Sequence, residues 1–133
     1  MRYLVAYIVT AVVFLGLDAL WLGRIALDLY RRELGDLLLD KPNLVVAGLF
    51  YLLFVGGIVI LAIAPALNGG AWWNALLMGA VLGLVAYGTY DITNLSTLKN
   101  WSLTVTIADL AWGTALTAIS ATIGYWVVSA LNL

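Results

Sequence analysis

Three aspartates lie within or at the ends of long apolar runs: Asp18, Asp91 and Asp109. A carboxylate in hydrocarbon costs several kcal/mol, so an acid in a membrane span normally faces the interior of a bundle and has a task there. Each has aromatic or hydroxylic residues at helical spacing. Asp18 follows Tyr7, Thr10 and Phe14 and precedes Trp21. Asp91 completes Gly79, Gly83 and Tyr87, with Tyr90, Thr93 and Asn94 beside it, and Asp109 shares a stripe with Thr106, Gly113, Thr117 and Ser120, one turn from Trp112. Oxygen donors from Asp18, Asp91, Asp109, Thr93 and Asn94 suit a proton or a hard cation, and Trp21, Tyr87, Tyr90 and Trp112 suit an organic cation or an apolar ligand. Stripes of small residues also serve plain helix packing, and buried polar groups also serve as interhelical glue.

Composition narrows the chemistry further. The 133 residues are 65% hydrophobic and 10% charged, with no histidine and no cysteine. Zinc and haem sites of the usual kinds, Ser-His and Cys-His nucleophiles and disulfides are thereby excluded. No metal site is expected, and catalytic residues and cofactors stay unassigned. A net charge of −1, from six basic and seven acidic residues, offers nothing to track nucleic-acid phosphates.

The elements that must position the acids are four apolar runs, about 3–22, 44–67, 71–91 and 103–131, each long enough to cross a hydrocarbon core of about 30 Å as a helix. Helix is required because backbone groups in lipid must be satisfied internally. The expected class is therefore an all-α integral membrane protein, a four-transmembrane-helix bundle forming one membrane domain over residues 1–133. Pro65 and Asn68-Gly69-Gly70 predict a tight hairpin between the second and third spans. The fourth run exceeds what a bilayer needs and predicts a tilt, or a bend at Gly113 or Gly124.

Segment 23–42 carries charges and, at helical spacing, Leu27, Tyr30, Leu34, Leu37 and Leu38. It reads as an amphipathic helix in the membrane interface, with Asn43 capping the second span. Four spans place both termini on one side. That side has Arg2 alone, and the other has Arg24, Arg31, Arg32, Lys41 and Lys99, so the charged loops are expected in the cytoplasm and both termini outside it. Trp21, Tyr30 and Trp101 are expected in the aromatic belt on the loop side, and Tyr3, Tyr7, Trp72, Trp73, Tyr125 and Trp126 in the other. The first run reads as a retained span and not a cleaved signal, since its n-region has one arginine and no small-x-small site follows.

Asp18-Ala-Leu-Trp21-Leu-Gly23, then Tyr87-Gly-Thr-Tyr90-Asp91-Ile-Thr93-Asn94 followed by Lys99-Asn-Trp101, then Asp109-Leu-Ala-Trp112-Gly113 resemble a domain-of-unknown-function family of small bacterial membrane proteins. The resemblance runs nearly end to end. It implies a four-span protein of the bacterial inner membrane and supplies no activity.

All three acids fall toward one leaflet, the side of the charged loops, so they can converge. The reading that follows is a small membrane protein with an acidic and aromatic site near the cytoplasmic leaflet, formed by Asp18, Trp21, Tyr87, Tyr90, Asp91, Thr93, Asn94, Asp109 and Trp112. It would bind or transport a small molecule, proton or cation. Partners are the lipid bilayer and that ligand, with a homo-oligomer allowed. One alternative is a lipid-modifying enzyme, with Lys99 or Arg24 meeting a head-group phosphate; it lacks a paired Asp-rich motif for two metals. The other is a structural or accessory subunit in which the acids pair with Tyr, Trp and Asn.

Overall fold

A computed structural model describes all 133 residues, and all of the regular structure is helical. Four helical segments are long and apolar enough to cross a membrane: Arg2–Ile25, Leu44–Leu67, Trp72–Thr97 and Leu103–Ala130. The first is α1 (Arg2–Leu20) continued by a π turn over Trp21–Ile25, after which α2 (Leu27–Leu34) lies outside the spans. The second is α3 (Leu44–Ile58), a π turn over Val59–Ile63 and α4 (Ala64–Leu67). The third and fourth are α5 (Trp72–Thr97) and α6 (Leu103–Ala130). This is an all-α membrane bundle, a multi-pass protein of the lipid bilayer.

Local chemistry sets the helix ends. The Asn43 side chain accepts a hydrogen bond from the Val46 N–H at 3.2 Å, and Ser102 accepts from Val105 at 3.1 Å, each satisfying an amide that helix geometry leaves without a partner. Gly35, at φ +51°, turns the chain sharply at the end of α2. α2 is thus shorter than its apolar spacing suggests, and Leu37 and Leu38 fall beyond it. The π turn at Val59–Ile63 ends two residues before Pro65, whose ring and missing N–H rule out a regular α-helical bond to the preceding turn. Asn68 to Ala71 close the connection, with Gly69 at φ +95°.

Only 26 of the 133 residues are buried, so the protein alone leaves most of its apolar surface to lipid. Leu44, Val45, Leu49, Leu53 and Ile60 of the second span are all exposed by 66% or more. Phe14, Ile58, Ile63, Leu116 and Val128 form the centre of the core.

The closest helix pair is α5 with α6. A Cβ added at Gly79 would come within 2.9 Å of the Thr117 carbonyl oxygen and 3.0 Å of the Ala118 Cα, so the backbones touch where side chains would hold them apart. Gly113 is needed for a similar reason, because a Cβ there would strike the Tyr87 ring. α6 runs unbroken through Gly113 and Gly124, and these glycines serve approach instead of bending. Its 28 residues span about 42 Å at 1.5 Å per residue, more than the hydrocarbon core.

The second and third spans are tight only near their connection. α5 meets the second span through Val59–Ile63 and α4, and backbone contact falls away along α3. Toward Leu44 the two helices part, bridged by the edge-on contact of Phe54 with Tyr87, ring centroids 6.4 Å apart.

Candidate functional site

A cavity of about 600 Å³ fills the space left by that divergence. Its floor and back come from α1 and α6, its sides from α3 and α5, and α2 roofs it. Asp18 lies in the last turns of α1 and Asp109 in the second turn of α6, each about 10 Å from the loop-side end of its span. Asp18 is there because Ala6, Thr10, Phe14 and Asp18 form the buried stripe of α1, stepping by four.

Two indoles join the acids. Trp21 and Trp112 stack with centroids 4.6 Å apart and planes 7° from parallel. The Trp112 Nε1–H donates to Asp18 Oδ1 at 3.1 Å. On the other ring, the Trp21 Nε1–H donates to the Tyr30 hydroxyl at 3.0 Å, and that hydroxyl donates to Asp109 Oδ1 at 2.5 Å. One network therefore links residues from α1, α2 and α6 across 94 positions of sequence at its widest. Tyr51 of α3 stands close enough to Asp18 to interact with it. Burial, and after it the bond to Asp109, pushes the Tyr30 hydroxyl well above the ordinary tyrosine range, so the roof residue stays a neutral donor at physiological pH.

Of the nine residues expected at the site, Asp18, Trp21, Tyr87, Tyr90, Asp109 and Trp112 line the cavity. Asp91 stands behind the wall. It is completely buried, beside Asp109, and neither of its carboxyl oxygens meets a hydrogen-bond donor. Asn94 is half-buried away from the cavity and Thr93 is exposed, because Thr93 sits about 200° around α5 from Asp91. No three acids come close enough to hold one metal ion. Arg24 and Lys99 are exposed and do not line the cavity.

Sequence reasoning overlooked Tyr30, Tyr51 and Phe54 as lining residues. Tyr30 reads as an interface aromatic on an amphipathic segment, and its hydrogen bonds with Trp21 and Asp109 turn it toward the cavity. Trp101 packs edge-on against Tyr90 at 5.7 Å and donates to Thr106 Oγ1 at 3.1 Å. Tyr51 did leave a signal. It is the one side chain between Leu44 and Leu67 with a hydrogen-bonding group.

A family model, described as a predicted membrane protein (DUF2177), matches residues 3–126. The chain belongs to the DUF2177 family. Every residue of the cavity falls within the matched stretch of this DUF2177 chain. No curated protein and no solved structure matches it.

Proposed function

We propose that this protein binds or transports a small ligand, a proton or a cation at the intramembrane cavity. The observation that carries the reading is the joining of Asp18 and Asp109, far apart in sequence, through a stacked indole pair in one cavity of about 600 Å³. Carboxylates oriented by indole and phenol donors, in a cavity of ligand size, are arranged to receive positive charge. A pure scaffold needs each acid satisfied by its neighbours, and the unpartnered oxygens of Asp91 argue against that. For the lipid-enzyme alternative, Arg24 and Lys99 stand apart from the cavity, so it offers no cationic side chain for a phosphate.

In the same reading the whole chain is one membrane domain, with segments 23–42 and 95–102 in the cytoplasm and both termini outside it, in a bacterial inner membrane. The basic residues, five on one side and one on the other, support that orientation. The cavity then lies toward the cytoplasmic leaflet.

A ligand bound only by the folded state raises thermal stability by mass action. Purified protein screened against alkali and alkaline-earth cations, amines and pH should gain several degrees with at least one of them. Asp109→Asn should lose the gain while keeping the fold, since the amide preserves shape and removes charge. Asp91→Asn should do the same. A screen without any response, with both variants indistinguishable from the parent in stability and pH dependence, leaves the scaffold in possession.

A further inference from the structure

The cavity has an opening that its acids alone do not explain. α3 and α5 part on the side of the loops, and the residues along the gap are lipid-facing: Phe50 is 59% exposed on one edge and Tyr90 57% on the other, with Thr89 exposed next to it. Ala47 and Ala86 are the small side chains of that rim. Above, α2 roofs the chamber through Tyr30. An exposed edge of the cavity thus faces sideways, toward the acyl-chain region of the leaflet.

We propose that the occupant is an amphiphilic cation, an amine or quaternary ammonium on an alkyl or aryl body, which enters from the leaflet between the second and third spans. This rests on the binding reading above and names its ligand class. Three observations carry it. Asp18 and Asp109 sit about 10 Å inside the ends of spans that are themselves longer than the hydrocarbon core of about 30 Å, and so only a few ångströms below the interface where the polar end of a membrane-dissolved amphiphile resides. The stacked indoles, Tyr51 and Tyr87 surround that level with aromatic surface that attracts quaternary ammonium groups. Phe50, Phe54 and Leu22 then offer the apolar body a wall continuous with the lipid. An anionic amphiphile fits none of this, since two carboxylates await it and no cationic side chain lines the cavity.

The test uses the full chain in nanodiscs of phosphatidylglycerol, a lipid without an amine, and labelled dodecyltrimethylammonium retained above the amount held by empty discs. The expected result is saturable retention of one equivalent per chain. Dodecyl maltoside, of equal chain length but uncharged, should not displace it, and tetramethylammonium should need roughly 100-fold more, the effect of a few methylenes of chain burial. Ala47→Trp, which puts an indole on the lipid-side rim and leaves both aspartates in the sequence, should reduce retention at least tenfold, and Asp18→Asn with Asp109→Asn should abolish it. Displacement by tetramethylammonium at equal concentration would overturn the proposal and leave a water-borne cation site. Displacement by the maltoside, or full retention in Ala47→Trp, would also overturn it. Failure of every cation to bind, with the aspartate variants unchanged, would remove the binding reading itself.

Discussion

Replacing Gly83 by alanine tests whether the α5–α6 approach sets the cavity. A Cβ at Gly83 would lie 2.8 Å from Thr117 Oγ1 and 2.9 Å from Thr117 Cβ, and would also press on the Gly113 carbonyl oxygen. Two of these neighbours are held by the backbone or the first side-chain atom of α6, so they cannot rotate away. Overpacking of this kind costs about 1–3 kcal/mol, against which alanine returns at most about 1 kcal/mol of helix propensity. Gly57→Ala is the matched control, because a Cβ there meets nothing within 4 Å and only the propensity gain applies. Reversible unfolding in mixed micelles, followed by loss of helical circular dichroism, should find Gly83→Ala less stable than Gly57→Ala by about 2 kcal/mol. The Tyr87 ring, packed on Gly113, should shift with the separating helices, so cavity binding should weaken together with stability. Equal stabilities for the two variants would refute the close approach at this register, and with it the account of how α6 places Asp109.

Tyr30→Phe removes the bond that holds the roof to Asp109 and leaves the Trp21 N–H without its acceptor, so hydrogen exchange of the α2 amides should accelerate by an amount corresponding to about 1–2 kcal/mol. Since burial raises the Tyr30 value above that of the unfolded chain, its contribution is intact below pH about 10 and is lost as the pH rises beyond it; α2 protection should fall only above that pH, and Tyr30→Phe should not show the fall. A reporter active only in the cytoplasm should stay silent when fused after Leu133, and strong signal there would reverse the proposed orientation.

The four spans were legible because bilayer thickness and backbone satisfaction leave an apolar run of about 20 residues few options. The acids were legible for a related reason, each being conspicuous against its background. What joins them was not. α5 continues to Thr97 past the apolar run, with the Ser96 and Thr97 hydroxyls satisfied within the helix by bonds back to the carbonyls of Ile92 and Thr93 at 2.7 and 2.8 Å. Thr93 and Asp91 are neighbours in a motif yet point to different faces of that helix, a distinction that spacing reveals only once the buried stripe through Gly79 and Gly83 is known to be the one that counts. Gly113 signals a small residue, but whether it bends α6 or admits a ring depends on Tyr87 in another helix. Tyr30 belongs to a segment whose amphipathic pattern fits an interface equally well. Its inward turn is decided by Asp109, 79 residues away.

That one bond has a thermodynamic consequence. Tyr30 and any cation in the chamber draw on the same carboxylate, so docking of α2 and occupancy of the cavity form a linked pair of equilibria. Whatever factor an occupant imposes on the docking of α2, the docking imposes on the occupant, with the same sign and size. α2 lies outside the spans, where water-soluble factors can reach it. In the proposed reading, a perturbation confined to the aqueous side of the membrane, a charge added to α2 or a protein gripping it, reaches affinity about 10 Å inside the span ends through the docking of one short helix and its phenol.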